Sequence, residues 1–141
     1  MPRRSISNDE VRTENSSRRA RDEVADDPIV DITTTGRRSG EPRRIEIWML
    51  AIDGQFFITG TPGRRDWLAN LAADPRLVVH LKRRANADLP ATATAVTDSS
   101  IRRRVLEHPS AHWYRGQTPI DDLVANAPMV ELTFEDSAPV E

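Results

Sequence analysis

The chain contains no cysteine, which excludes disulfide bonds and thiolate chemistry from its fold and its function. It also has no apolar run near the roughly 18 residues that a membrane-spanning helix requires. The amino-terminal segment carries basic residues without an apolar core, which argues against a secretory signal. We therefore expect a cytoplasmic protein with no integral membrane segment.

Lysine is almost absent as well, because Lys82 is the one lysine among 20 basic residues and the others are arginine. Such usage is typical of codon bias, so the position of an arginine carries more information than the number of arginines. The formal net charge of −2 disfavours a nucleic-acid-binding protein, since most of these are basic. With 141 residues the chain is long enough for one domain with a substantial core.

The central part of the chain is predicted to form a mainly β domain over residues 28–136. Residues 1–27 are charged and polar, so we expect an arm that is flexible or a solvated helix and that could cover a ligand or a partner subunit. Residues 137–141 are expected to form a tail. This organisation places any ligand site within the central domain.

Six segments have the short, alternating or β-branched character of strands. They are residues 29–34, 43–51, 55–60, 76–82, 91–97 and 127–134. Asp53-Gly54 predicts a tight hairpin turn. Helices are expected over residues 64–73, capped by Thr61, and over 98–108, capped by Asp98, with an irregular segment over 109–117. This order favours a six-stranded antiparallel β-barrel with short helices over a Rossmann sheet.

Residues 34–44, which we call the arginine turn, place four arginines within eight positions: Arg37, Arg38, Arg43 and Arg44. A turn needs glycine, asparagine, aspartate or proline, but no cations. Four guanidiniums repel one another, so their placement indicates an anion such as a phosphate or carboxylate, to which Ser39 adds a hydroxyl. Strand alternation directs Arg44 away from Arg43 and towards Glu46. The alternative is a solvated turn in an arginine-rich protein.

A second loop, Gly60-Thr61-Pro62-Gly63 followed by Arg64 and Arg65, leads from a strand into a helix. A helix amino terminus offers free N–H groups and the positive end of a dipole, and the two arginines add charge. The alternative is a plain strand-to-helix connection. Two anion-friendly loops in one small domain favour a single elongated ligand.

Aromatic residues are few, so their positions are informative. Trp67 is expected to anchor the helix in the core, with Asn70 as a polar wall or a backbone tie. Trp113 and Tyr114 either cap an aromatic ligand or pack on the barrel.

Glu46 and Trp48 share one strand face, and two interpretations stay open. Either Glu46 pairs with Arg44, or Glu46 and Trp48 line a pocket for a planar ligand. The three histidines lack the spacing of metal ligands, so no metal site is expected.

The motif TTGRRSGEPR at residues 34–43, together with WLANLAADP at 67–75, resembles the deazaflavin-dependent nitroreductases. These belong to the flavin/deazaflavin oxidoreductases with a pyridoxamine-phosphate-oxidase-like split β-barrel. The resemblance covers residues 29–83 well and 91–135 loosely. It implies coenzyme F420, which carries a phosphate and an oligoglutamate tail, and hydride transfer from its reduced form to an electron-poor acceptor such as a quinone, nitroaromatic or enone. By analogy of fold it also implies a homodimer.

The resemblance implies that the arginine turn holds the phosphate and tail, that the second strand runs under the ring, and that the following loop flanks both. Trp67 and Asn70 would support that loop. The implied cofactor-binding residues are Arg37, Arg38, Ser39, Arg43, Glu46, Ile47, Trp48, Thr59, Gly60, Thr61, Pro62, Gly63, Trp67 and Asn70. Trp113 and Tyr114 are candidates for the substrate pocket. No catalytic residue is assigned, and Tyr114 or solvent is preferred to Glu46 as a proton donor.

The chain also departs from the family pattern. Many members carry Gly-Gly and a lysine where this chain has Pro62-Gly63, and Glu46 replaces a proline common in the nitroreductase branch. The tyrosine-rich segment of that branch is reduced here to Tyr114. These departures leave the physiological substrate open. FMN or haem, which neighbouring branches bind, stay alternative ligands, and a non-catalytic ligand-binding barrel stays an alternative function.

Overall fold

A computed structural model describes residues 8–135 of the protein, so the predicted tail lies outside the described residues. Seven strands form a single antiparallel sheet. They are β1 (Ile29–Thr35), β2 (Pro42–Trp48), β3 (Leu50–Ile52), β4 (Gln55–Thr59), β5 (Arg76–Leu81), β6 (Ala87–Ala95) and β7 (Met129–Phe134). Their order in the sheet is β2-β1-β5-β6-β7-β4-β3.

The sheet closes on itself because one chain segment supplies both of its edges. β2 pairs with β1 as far as Trp48, and after Met49 the chain continues as β3, which pairs with β4 from Leu50 onward. The N–H of Met49 donates to the carbonyl oxygen of Pro28 at 2.9 Å. The result is a split β-barrel in which the described part of the chain gives β2 one partner strand, leaving its other edge open.

The interruption at Met49 makes seven strands where the sequence predicts six. The alternation predicted for this segment nevertheless holds, since Ile47 and Met49 contact the barrel core while Trp48 and Leu50 contact a second core outside it. The hairpin predicted at Asp53-Gly54 is present, with φ angles of 52° and 80°. Both angles are positive, as a two-residue type I′ turn requires.

Within residues 8–135, five α-helices and a 3-10 turn surround the barrel. They are α1 (Asn8–Asp26), α2 (Asp66–Ala73), α3 (Ser99–Glu107), the 3-10 turn Pro109–Ala111, α4 (His112–Gln117) and α5 (Ile120–Asn126). Trp67 and Leu71 of α2 pack into the barrel core, whereas the last three helices form the second core around Leu106 and Leu123. Within residues 8–135 none of the helices has the length and apolar character needed to cross a membrane.

Helix boundaries confirm one sequence prediction and correct others. Asp98 caps α3 as predicted, because its Oδ1 accepts the N–H groups of Ser100 and Ile101. The predicted cap at Thr61 is wrong, since α2 begins at Asp66 and its N-cap position holds Arg65 without a side-chain cap. Residues 109–117 are helical instead of irregular, and α5 has no counterpart in the sequence prediction.

Arg102 explains why the short helix α5 forms at this place. Its guanidinium donates to the carbonyl oxygens of Val96, Leu123, Val124 and Ala127 and is buried in doing so. A seven-residue helix is unstable alone, so the free carbonyls at its end need such a partner. Hydrophobic periodicity cannot reveal this dependence because the group responsible is charged.

The amino-terminal helix is fixed to the barrel by a fully buried carboxylate. Glu23 accepts the backbone N–H groups of Lys82, Arg83, Arg84 and Ala85 at 2.6 to 3.0 Å. Burial raises the pKa of Glu23, but the four N–H groups together outweigh burial and lower it. α1 is therefore more than the solvated helix that its charge suggests. The boundary between the arm and the barrel domain stays a prediction. So does the suggestion that the arm covers a ligand or a partner subunit.

Replacing Glu23 by alanine should lower the free energy of unfolding by on the order of 3 kcal/mol, because four partly buried N–H donors lose a charged acceptor. The folded-state pKa lies below the unfolded one, so the stabilisation is complete above about pH 5 and is lost as pH falls through the folded value. Urea denaturation at several pH values measures both effects. Asp22→Ala alters an exposed neighbour on the same helix as a control, and equal losses in the two variants would contradict the role of Glu23.

Candidate functional site

The arginine turn is closed by its own backbone. The N–H of Gly36 donates to the carbonyl oxygen of Glu41 at 2.8 Å, and that of Gly40 donates to the carbonyl oxygen of Gly36 at 2.9 Å. A Cβ atom at Gly36 would lie 2.7 Å from the Ser39 hydroxyl oxygen, and Gly40 has a φ of 72°. The turn therefore favours glycine at both positions, since a side chain at Gly36 would crowd Ser39 and one at Gly40 would be strained, and its backbone is closed by its own hydrogen bonds.

Arg37 is held in place by α2. Its backbone N–H and its Nη1 both donate to Asn70 Oδ1, at 3.1 and 3.0 Å, and its Nη2 lies 3.5 Å from Asp66 Oδ1. Asn70 is buried and donates from Nδ2 to the Thr34 hydroxyl at 3.3 Å. Asn70 is thus a tie, as one interpretation of the sequence proposed. Its hydrogen bonds go to Arg37 and Thr34 of the arginine turn, and its support of the loop at 59–63, which the resemblance implied, stays a prediction.

The other polar groups of the turn are more available. Ser39 Oγ accepts from Arg43 Nη2 at 3.3 Å and from the N–H of Glu41 at 3.1 Å, which leaves the hydroxyl proton for a further acceptor. Arg38 is exposed and makes no hydrogen bond or ion pair with any other residue in the described range. Three of the four arginines of the turn therefore differ in their freedom: Arg37 is fixed by Asn70, Arg43 is tethered to Ser39, and Arg38 is unpaired within the described residues.

These groups surround a cavity of about 400 Å³, which we call the basic pocket. It is lined by Thr34, Gly36, Arg37, Arg38, Ser39, Arg43, Ile45, Asp66, Trp67 and Asn70. Three of the lining residues are arginines and one is an aspartate, so the pocket suits an anion. Trp67 gives it an apolar wall and, at 7% exposure, is also the core anchor that the sequence predicts.

The Arg44–Glu46 ion pair, which was one of two interpretations of the sequence, does not form. Arg44 Nε lies 2.9 Å from Asp31 Oδ2 on the neighbouring strand, while Glu46 Oε2 lies 2.6 Å from Lys82 Nζ. Lys82 also contacts Asp31 at 2.7 Å and, together with Arg44, lowers the pKa of that carboxyl. Cross-strand pairing supplied partners that same-strand reasoning overlooked. Neither Arg44 nor Glu46 lines the basic pocket.

The structure places the rest of the predicted strand segment at two other locations. Ile47 packs against the barrel core. Trp48 lies edge-on to Trp113 and Tyr114, with ring centroids 5.5 and 5.9 Å apart, and we call these three residues the aromatic cluster. Trp113 is half exposed, whereas Tyr114 is buried. Burial raises the pKa of Tyr114 to about 12, so its hydroxyl is protonated at neutral pH.

The second predicted loop is shaped by interactions of its own side chains. Thr59 donates its hydroxyl proton to the carbonyl oxygen of Pro128 at 2.6 Å. Arg65 Nη2 donates to the carbonyl oxygen and the hydroxyl of Thr61, at 2.9 and 3.2 Å, and Nη1 donates to the carbonyl oxygen of Arg64 at 3.2 Å. Arg64 and Arg65, which are equivalent in the sequence, therefore differ, because Arg65 is turned onto the loop and Arg64 is exposed.

The predicted cofactor-binding residues omit four residues that line the basic pocket: Thr34, Gly36, Ile45 and Asp66. Ile45 could have been found, because it shares a strand face with Arg43. Asp66 is the first residue of α2, and no sequence pattern marked it, because its contact with Arg37 arises only in the folded protein. The predicted binding roles of the pocket residues, of residues 46–48 and of the 59–63 loop stay predictions.

A protein-family model described as F420H(2)-dependent quinone reductase matches residues 7–119 of the chain. The fold is similar to that of a protein from Clostridium acetobutylicum related to general stress protein 26 of B. subtilis and placed in the pyridoxinephosphate oxidase family. The TM-score is 0.63 and the identity 20%, over 86% of this chain and 85% of that one. It is also similar to an F420-H2 dependent reductase, FDR-A (TM-score 0.54, identity 22%, 76% of this chain and 95% of that one). A further similar structure is described as a domain-swapped dimer (TM-score 0.54, identity 22%, 87% and 96%).

Proposed function

Because the chain belongs to the F420H(2)-dependent quinone reductase family, we propose that its basic pocket holds the phosphate and oligoglutamate tail of coenzyme F420. The protein is an F420H2-dependent reductase that transfers hydride to an electron-poor acceptor such as a quinone, nitroaromatic or enone. The observation that carries the proposed site is the set of three arginines around one cavity with a single carboxylate. Several guanidiniums suit a ligand with several negative charges better than a single small anion.

The residues of the pocket fit this ligand. Arg37 is fixed by Asn70, so little side-chain freedom is lost when it meets an anion. Arg38 and Arg43 are exposed and can follow a tail of variable length. When bound, the reduced deazaflavin supplies the hydride, and the protein supplies binding, orientation and electrostatics.

The open edge of β2 supports a position for the deazaflavin ring along this strand. Trp48 lies five residue steps after Arg43 along β2, which corresponds to about 17 Å at the rise of a β-strand. An elongated cofactor anchored at Arg43 can therefore reach the aromatic cluster. The Glu46 carboxylate is engaged by Lys82 on the outer face. We therefore propose that residues 46–48 meet the ring through the backbone, while the 59–63 loop flanks it.

Replacing Arg38 and Arg43 by alanine should weaken F420 binding at least tenfold, because two charge-assisted contacts to the tail are lost. FMN lacks the oligoglutamate tail, so its binding should change much less. Titration followed by tryptophan fluorescence measures both affinities. Arg44→Ala is the matched control, since Arg44 lies beside Arg43 but pairs with Asp31 outside the pocket. Equal losses for F420 and FMN, or for Arg43→Ala and Arg44→Ala, would contradict the tail-binding role.

We propose that the aromatic cluster contacts the electron acceptor. Trp113 is half exposed, so it offers a planar surface, and the protonated Tyr114 is a better candidate for a proton donor than the ion-paired Glu46. Trp113→Ala should raise KM for a soluble quinone about tenfold while the dissociation constant of F420 stays the same. Steady-state kinetics with quinone varied test this, with Trp113→Phe as the conservative control. An unchanged KM in Trp113→Ala would remove Trp113 from the acceptor site.

We also propose a homodimer located in the cytoplasm. A similar structure is described as a domain-swapped dimer, and Ile101, which belongs to neither proposed binding site, is a large hydrophobic side chain that this protein leaves exposed. Sedimentation velocity should give twice the chain mass of 15.9 kDa. A single species of the monomer mass at assay concentrations would contradict the dimer.

A further inference from the structure

We propose that Arg65 is a positioning residue, which folds the loop at residues 60–64 into its ligand-facing shape and is not itself an anion ligand. The part of this inference that concerns F420 rests on the proposed function. The part that concerns the loop does not, because the contacts lie within the protein.

The guanidinium of Arg65 acts as a clamp on the chain that precedes it. Nη2 donates to both the carbonyl oxygen and the hydroxyl of Thr61, and Nη1 donates to the carbonyl oxygen of Arg64. The three acceptors lie one and four residues back along the chain, so the loop must curl around the side chain. A planar fork can reach these acceptors together, whereas a lysine ammonium is a single point of charge on a flexible stem.

The glycines of the loop provide a second, independent observation. A Cβ atom at Gly60 would lie 3.2 Å from Arg65 Nη2, and one at Gly63 would lie 3.0 Å from Arg65 Nη1. Both distances are shorter than ordinary van der Waals contact, so the missing side chains leave the space that the guanidinium fills. Glycines that the sequence presents as anion donors thus also serve to admit Arg65.

The position of Arg65 connects this loop to both parts of the site. Arg65 is the residue before α2, and its carbonyl oxygen accepts the N–H of Ala69 at 3.2 Å, so it sets where the helix begins. The next two residues, Asp66 and Trp67, line the basic pocket. On the other side, the charge of Arg65 reaches Tyr114 and opposes the rise in the pKa of its hydroxyl that burial causes. A displaced Arg65 would therefore disturb the basic pocket where α2 begins.

Arg64 offers a matched control. It is the adjacent residue, carries the same charge and is exposed, and its side chain makes no hydrogen bond or ion pair with another residue of the described range. Arg64→Gln and Arg65→Gln remove the same charge from neighbouring positions. Arg65→Lys keeps the charge but removes the fork. The three variants therefore separate charge from positioning.

The first measurement is backbone ¹⁵N relaxation of residues 60–64 in the ligand-free protein. Wild type and Arg64→Gln should keep order parameters near the ~0.85 of a rigid backbone, while Arg65→Gln and Arg65→Lys should fall below about 0.6. Order parameters that stay high in both Arg65 variants would overturn the inference. Because Arg65→Lys is a mild change, it provides a folded variant even if Arg65→Gln unfolds.

The second measurement is kinetic and uses the complete enzyme. Both Arg65 variants should raise KM for F420H2 about tenfold with kcat changed less than about twofold, as expected when binding geometry alone is lost. If Arg65 acted by its charge alone, KM for F420H2 would be the same in Arg65→Lys as in wild type. It would also be the same in Arg65→Gln as in Arg64→Gln. Either result would overturn the positioning role of Arg65. Failure of wild type to bind F420 in a direct titration would instead overturn the proposed function, and the relaxation data would still decide the role of Arg65.

Discussion

The fold depends on one constraint, which is that a single strand segment has to pair at both edges of the sheet. β2 pairs with β1, and β3 pairs with β4. Met49 lies between β2 and β3, where the chain passes from one edge of the sheet to the other. Because each half has one described partner, closing the barrel leaves the edge of β2 open. The basic pocket lies at this split, between Arg43 and Ile45 of β2 and the first turns of α2. The opening that a ligand needs is thus a consequence of how the barrel closes.

Features that depend on neighbouring residues could be predicted from the sequence. Alternation located the strands, Asp53-Gly54 the hairpin and Asp98 the start of α3, because each acts through its own backbone or the next few residues. The same local reasoning identified the arginine turn, whose glycines and Ser39 are all used within the turn. The order of the predicted elements favoured an antiparallel barrel, and the family resemblance then identified the split form of that barrel and the cofactor.

Features in which a side chain binds a distant backbone group could not be predicted. Glu23 finds four N–H groups about sixty residues away in sequence, and Arg102 finds carbonyls of α5. Backbone donors and acceptors are present at nearly every residue, so no sequence pattern marks the ones that a charged side chain will meet. This is why α1 looked like a solvated arm and why α5 was missed. In both cases a charge that seems to belong on the surface is buried and satisfied.

The arginines of the protein also have partners that could not be predicted from the sequence. Arg65 and Arg102 donate to carbonyl oxygens and Arg44 pairs with a carboxylate, so each is engaged by a partner within the protein. Arg38 has no partner in the described chain and Arg43 has only a hydroxyl. The ability to bind an anion follows from donors left over after folding, and not from the number of cations in a motif. Arg43 and Arg44 are adjacent in the sequence and belong to one cluster there. In the folded barrel Arg43 lines the basic pocket, whereas Arg44 lies on the outer wall.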